Sequence, residues 1–471
     1  MSLGAGFATS GIGIKARSMA GSFRGLADDW SAVSYNPAGL AFLKTSELNL
    51  SLGIYTPQLT YNPNVSSGPR DIGFGSANGL DHYPLDDIWP QPSVAAIAVN
   101  PEWEGFVFGG AIYWPHDVNY AWDLFRQPLT YDTDYEFAQQ NFRTDLDVLD
   151  VHPAAAKKFG RDLSLGVGLS LTSADIVFRR ILFFENELGE PFNVYPFQQF
   201  IGDFRLEGNG FSVGANAGLL WEVSENVTLG VSAQTPVGVT IDGFADLDMA
   251  WPQNQRLTEE NNGIAVVDGD SIRTELYFSG VHDALVRQQN PPHSTSTYEF
   301  ELNLPAQFGV GLGWTPTNRL TLAFDAVMTF WSSVDQWDIK LQGDGLNGGT
   351  RRITEVNVPF EWDDQLRLSG GIEYLATEKL TLRGGSYYDA AAAADETFSP
   401  NFPNDGDALG LCGGLAYVID GHVELSAAQE VAFYSKRTIQ QPAGGVSGGT
   451  VFPGDYSLNR FETILSVTYR F

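Results

Sequence analysis

Apolar residues recur at every second position along most of this chain, and the joints between the alternating stretches come in two sizes that take turns. In "LSLGVGLSL" the apolar set is Leu163, Leu165, Val167, Leu169 and Leu171, against Ser164, Gly166, Gly168 and Ser170. "FSVGANAGLLWEV" sets Phe211, Val213, Ala215, Ala217, Leu219 and Trp221 against Ser212, Gly214, Asn216 and Gly218. Period two with two unlike faces is β-structure. About fourteen such strands follow one another: 46–60, 91–100, 104–115, 148–160, 162–180, 208–223, 226–243, 298–315, 318–340, 361–376, 379–390, 407–420, 422–437 and 457–471. Six joints are tight ("NPEWE", "FGRDL", "VSENV", "TPTNR", "ATEK", "IDGHV"), and they alternate with seven long ones. An even strand number with short turns at one end and long loops at the other is the pattern of a transmembrane antiparallel β-barrel. A propeller or sandwich spaces its turns evenly, and a soluble all-β fold is the alternative this pattern has to beat.

A barrel in lipid leaves no strand edge unpaired, so the last strand must close on the first. Its pattern sends Phe461, Thr463, Leu465, Val467, Tyr469 and Phe471 outward and Arg460, Glu462, Ser466, Thr468 and Arg470 inward. No run of about 18 apolar residues offers a transmembrane helix. No basic segment followed by an apolar one opens the chain, so an exported protein of this sequence is expected to have lost its signal peptide. The 57 acidic against 27 basic residues give a net charge of −30, which argues against nucleic-acid binding. Cys412 is the single cysteine and has no disulfide partner in the chain; among glycines it reads as a small spacer.

Residues 1–45 do not alternate. Small residues, a helix-start signal at Asp28-Asp29 and a break at Asn36-Pro37 mark a compact segment. A barrel of about fourteen strands has room for it inside, so the expected organisation is a hatch over 1–45 and a barrel over 46–471. "GIGIKARSMAGSFRGLADDWSAVSYNPAGLA" resembles the hatch of the FadL/TodX family of outer-membrane transporters for hydrophobic compounds, with Asn36, Pro37 and Ala38 at its Asn-Pro-Ala motif. "GNGFSVGANAGLLWEVSENVTLGVSAQTP", "FELNLPAQFGVGLGW" and "DDQLRLSGGIEYLATEKLTLRGGSYYD" extend the similarity. The resemblance implies a monomeric fourteen-stranded barrel in a bacterial outer membrane, closed from below by the hatch. It implies capture of ligand in an apolar groove among the extracellular loops and transfer to a lumenal pocket. Exit would be sideways beside a kinked third strand, accompanied by a shift of the hatch N-terminus at Gly4, Gly6 and Phe7.

The residues offer parts for such a path. The third loop, "ILFFENELGEPFNVYPFQQFIGDF", is crowded with Phe183, Phe184, Phe192, Phe197 and Phe200. Apolar crowding of that kind marks a binding surface, or else packs the loop on the barrel mouth; both readings stand. The fourth loop, about 244–297, is more polar, with "IAVV" (264–267) and "LYF" (276–278) as apolar pieces. In the third strand, "FVFGGAIYWPHDVNY", Gly109, Gly110 and Ala111 offer small side chains. Pro115, before His116, either kinks the strand or ends it. A carboxylate carried inside needs a cation. The family places such cations near the outer ends of the fifth and ninth strands, which corresponds here to Arg179 or Arg180 and to Lys340. Parity sends Arg180 inward and Lys340 outward, and pairing of these cations with acidic loop residues is the competing use.

No catalytic residue, cofactor or metal is expected. "GVSGG" (445–449) fits G-x-S-x-G but lies in a loop between strands, where the strand–turn–helix of a hydrolase is missing. The acidic clusters "DTDYE" (132–136), "DGD" (268–270) and "NDGD" (404–407) lack EF-hand spacing and read as solvated carboxylates, with weak Ca²⁺ binding as the alternative. The expected function is passive import of hydrophobic molecules, long-chain fatty acids ahead of monoaromatic hydrocarbons, in contact with outer-membrane lipid. A lipid-modifying barrel enzyme and an adhesin or sealed structural barrel are the rival classes.

Overall fold

A computed structural model describes residues 11–63, 81, 83–84, 89–125, 131–132, 139–184, 200–252, 264–267, 270–273, 293–348, 352–395, 397–403, 406–440 and 453–471. Fourteen strands run antiparallel, each beside its sequence neighbour. They are β1 (Glu47–Pro63), β2 (Trp89–Val99), β3 (Phe106–Trp122), β4 (Phe142–Phe159), β5 (Leu163–Phe184) and β6 (Phe200–Ser224). The next four are interrupted: β7 (Val227–Gln234, Val237–Pro252), β8 (His293–Leu304, Gln307–Thr317), β9 (Leu320–Thr329, Gln336–Leu341) and β10 (Glu355–Pro359, Gln365–Leu375). Then come β11 (Leu380–Asp389), β12 (Ala408–Val418), a fifth interrupted strand, β13 (Val423–Tyr434, Arg437–Ile439), and β14 (Gly454–Arg470). β1 pairs with β14 along its whole length, from Glu47↔Arg470 to Pro63↔Gly454, and this closes the barrel.

Closure is why the two faces of each strand differ so sharply. Leu50, Val167 and Phe211 are 61%, 60% and 63% exposed, whereas Arg460, on the inner face of β14, is 0% exposed. Such an inversion is disastrous in water and required in lipid. Trp221, Trp314, Tyr374, Tyr417 and Tyr469 are exposed near the tight-turn end, and Phe211, Phe308, Phe330, Tyr388 and Phe433 higher up the strands. Leu, Val and Ile lie between them, as in the aromatic girdles that border a hydrocarbon band. No helix is long and apolar enough to cross a membrane among the described residues.

The sequence pattern placed the strands but not all their limits. β5 and β6 run on to Phe184 and from Phe200, pairing to Phe184↔Phe200, so the third loop is shorter than the 181–207 expected. The segment 318–340 is not one strand. It leaves the wall after Thr329, makes a 3₁₀ turn at Trp331–Ser333 and rejoins at Gln336. β10 is likewise interrupted between Pro359 and Gln365. Residues 11–45 lie inside the barrel as α1 (Ile14–Ser18), α2 (Ala32–Tyr35) and a 3₁₀ turn over Pro37–Phe42. Gly4, Gly6 and Phe7 lie outside the described residues.

Candidate functional site

The inner segment is held by charges that the wall strands turn inward. Arg17 of α1 donates to Glu430 at 2.9 Å and to Glu462, and Arg460 meets the same Glu430 while donating to the Tyr387 hydroxyl at 3.1 Å. Asp325 accepts the backbone N–H groups of Phe23 and Arg24 at 3.1 and 2.9 Å. Lys15 bridges Asp28 and Glu373 at 2.9 and 3.0 Å. Burial works to lower the Lys15 pKa, but Asp28 and Glu373 outweigh it and leave the ammonium above its ordinary value. Charges buried this deeply are tolerable only because each has partners with good geometry.

Asn36, Pro37 and Ala38 occupy the opposite side of the segment. The Asn36 side chain caps the 3₁₀ turn, accepting from Ala38 N–H at 3.3 Å, and Pro37 takes the first position, where no donor is needed. Its amide donates to the carbonyls of Arg24 and of Leu219 in the wall, at 2.9 and 3.1 Å. This approach depends on glycine. A Cβ on Gly218 would stand 1.9 Å from Asn36 Oδ1, and one on Gly166 would stand 2.3 Å from the backbone of Pro37 and Ala38.

Beside this segment the wall is broken. β3 pairs with β2 only from Val99↔Val107 to Val94↔Ile112, although β2 goes on pairing with β1 as far as Tyr55↔Trp89. On its other edge β3 shifts register between Tyr113 and His116, so that Trp114 and Pro115 together oppose Leu149 of β4. This is a β-bulge, and it bends the strand that carries it. Pro115 therefore kinks the strand and does not end it. Pro90 and Pro92 of β2 add two positions with no N–H, both directed to the same strand edge. The glycine pair is not where the ladder fails: Gly109 and Gly110 are paired on both sides, to Ile97 and Ala96 and to Ala154 and Pro153. Residue parity points Gly109 inward and Gly110 outward. A small cavity of about 30 Å³ lies at the break, bordered by Gly11, Gly13, Gln91, Ser93, Tyr113 and Trp114. Gln91 reaches over it to Asp117 at 3.3 Å. His116 is buried next to the bulge, 6.4 Å from the Trp331 ring.

Above the inner segment the lumen is lined with aromatic side chains. Trp337 stands 5.0–5.8 Å from the rings of Phe178, Phe300, Phe360 and Phe402. Trp331 and Trp362 cross at 5.2 Å. Trp331 and Trp362 are hidden in the sequence pattern, which runs strands through 318–340 and 361–376. The clustered aromatics in "FWSSVDQW" and "PFEW" and the proline at 359 are the signal that could have found them. The chain after β11 also folds in: Phe398 and Phe402 are buried, Trp122 donates to the Pro400 carbonyl at 2.9 Å, and Asn401 donates to the carbonyl of Arg179 at 3.0 Å.

The expected ligand residues separate. Phe183, Phe184 and Phe200 belong to β5 and β6 and are buried in the aromatic cluster, which is the packing use and not an exposed groove. Phe192 and Phe197 lie outside the described residues, as do "LYF" and "GVSGG". Arg179 is engaged by Asp203, its Nε donating at 2.8 Å, and is thus neutralised on the outer side of the wall. Lys340 is exposed on the outer face, because the same segment turns Trp337, Ile339 and Leu341 inward. It cannot serve a lumenal carboxylate. Arg180 alone of the three faces inward. It is buried, and with Val358, Phe360, Trp362, Phe398 and Phe402 it borders a small cavity of about 10 Å³.

The comparisons with known proteins agree with this geometry. The family model "Outer membrane protein transport protein (OMPP1/FadL/TodX)" matches residues 3–471. The 47 kDa outer membrane protein of Pasteurella multocida is 25% identical over 469 residues, covering 98% of this chain and 92% of that protein. Outer membrane protein P1 of Haemophilus influenzae is 23% identical over 415 residues, covering 82% and 76%. Among solved structures, a FadL homologue of Pseudomonas aeruginosa superimposes with a TM-score of 0.74 at 19% identity, covering 98% of this chain and 99% of that one. The Pseudomonas putida toluene transporter TodX gives 0.64 at 15% identity, covering 99% of both.

Proposed function

The chain belongs to the OMPP1/FadL/TodX family of outer-membrane transport proteins, and from that premise we propose that it imports hydrophobic molecules passively, releasing them sideways through the break between β2 and β3. The observation that carries this reading is the coincidence of three features. The lumen is aromatic, residues 11–45 block the way straight down, and the wall is open next to that block. A molecule sheltered among Trp337, Phe360 and Phe402 gains from burial. It loses that gain if it must enter water, and a lateral route into lipid avoids the loss. Residues 1–45 act as the hatch, and the ligand gradient with capture downstream supplies the drive.

Long-chain fatty acids are the leading ligand class, because Arg180 supplies a buried cation where the aromatic cavity ends. Monoaromatic hydrocarbons are the second reading, favoured by the aromatic lining itself and by the hydrocarbon transporters among the similar structures. The two separate in uptake of labelled oleate and labelled toluene by an outer-membrane host lacking its own long-chain transporter. Oleate uptake that falls on Arg180→Leu supports the first reading. Toluene uptake without oleate uptake supports the second. Uptake of neither by a correctly inserted barrel sinks both. For a lipid-modifying activity His152 is a poor general base: it bonds to Asp150, Tyr113 and Asn216, so neither of its ring nitrogens is left for a serine.

A further inference from the structure

Tyr113 sits at the last paired turn of β3 before the bulge and borders the empty space at the wall break. It is 1% exposed and packs among side chains of the inner segment and of β2 to β4. Its hydroxyl lies 3.1 Å from His152 Nδ1, and the two rings overlap with an interplanar angle of 28°. The same Nδ1 lies 3.0 Å from Asp150 Oδ2, and Asp150 is itself held by Ser170 Oγ at 2.8 Å. At the other ring nitrogen, Nε2 is 3.1 Å from Asn216 Oδ1. The Asn216 amide donates to the carbonyls of Val33 and Ser34 in α2, at 2.8 and 3.2 Å. Its oxygen therefore accepts, and His152 donates from Nε2.

These contacts make one buried hydrogen-bonded chain from the wall break to the inner segment. His152 is on β4 and Asn216 on β6, so the chain must pass over β5. It does so at Gly168, where a Cβ would stand 2.3 Å from Asn216 Oδ1 and 2.6 Å from His152 Nε2. Only glycine at that position lets the two side chains meet.

We propose that Tyr113 is the gating side chain of the lateral opening, held shut by His152 and Asp150 and tied through Asn216 to the position of α2. The proposal rests on the lateral-exit reading above. Movement of α2 withdraws Ser34 from the Tyr113 hydroxyl and pulls on Asn216, which frees the His152 ring to turn, so the Tyr113 ring loses contacts that keep it across the opening. The link runs through groups with a discrete hydrogen-bonded arrangement, which is what energetic coupling between two sites requires.

Two readouts test it in a Cys412→Ala background carrying Ser93→Cys, which places a thiol at the opening. One is the rate of labelling by N-ethylmaleimide and the other is uptake of labelled oleate and toluene. Tyr113→Phe keeps the ring volume and removes only the hydroxyl. Loss of the hydroxyl's hydrogen bonding is expected to speed both labelling and uptake by about threefold to tenfold. Gly168→Ala, which touches neither Tyr113 nor α2, is expected to act in the same direction by separating His152 from Asn216. Unchanged labelling and uptake in Tyr113→Phe overturns the proposal. Deletion of Trp114, which restores the β3–β4 register, distinguishes the two levels. If it suppresses uptake while Tyr113→Phe has no effect, lateral exit stands and the gate does not. If it leaves uptake unaltered, the exit reading fails and the gate fails with it.

Discussion

The lumen is filled in two different ways, and the halves differ in what they can give up. Toward the tight turns it is filled by backbone. Residues 11–45 press against wall glycines and are tied by Arg17, Lys15, Arg24 and Asn36 to carboxylates and a carbonyl on five strands of the wall. Toward the long loops it is filled by side chains, many of them Trp and Phe packed ring against ring. Hydrogen bonds and ion pairs impose one geometry and are costly to leave half-made. Dispersion contacts between rings are individually weak and can be replaced by those of another apolar body. The first half is thus suited to sealing and the second to exchanging its contents with a ligand.

The contrast can be broken most severely at Glu430. Glu430→Ala leaves Arg17 and Arg460 facing each other without their shared carboxylate, and we expect a loss of roughly 3–5 kcal/mol. Urea unfolding of the detergent-solubilised barrel measures it, and a loss below 1 kcal/mol would show that the ionic half is not held as argued. Gly218→Ala tests the backbone contact: the Asn36 side chain must move, at a cost of about 1–3 kcal/mol, whereas Gly413→Ala, with nothing within 4 Å, should melt like the parent. In the aromatic half, Trp337→Leu is expected to cost about 2 kcal/mol while changing the ratio of oleate to toluene uptake. A stability loss with an unchanged ratio would make that half mere packing. Smallest of all is Lys340→Ala. On the outer face it should shift stability by under about 0.5 kcal/mol and leave oleate uptake as it was; reduced uptake would return it to the ligand path.

Strand number, closure and the inside–outside sense of each strand were legible in the chain because they follow from period two and from loop length. Both are local properties, and lipid enforces them on every strand alike. The Trp114-Pro115 bulge was half legible, since Pro115 announces an irregularity but not its place. The glycines at 109 and 110 drew attention to the wrong part of β3, where both ladders are intact. Phe183, Phe184 and Phe200 looked like a loop surface because "ILFF" and "FIGDF" were cut off from the strands that they extend. Arg180 and Lys340 were legible in the chain: parity sends Arg180 inward and Lys340 outward, and the structure places them so.

What the sequence determined by itself is the barrel: how many strands, which side chains meet lipid, and that residues 11–45 are something other than strand. Tertiary structure alone decided which groups meet inside. The ties of Arg17 to Glu430 and Glu462, of Tyr113 to His152 and of Asn216 to α2 join residues dozens to hundreds of positions apart. Alternation says only that each of them points inward. Which inward-pointing groups touch depends on strand register, on bulges that shift it by one residue, and on glycines that let backbone approach. Those are properties of the closed sheet and of no single segment.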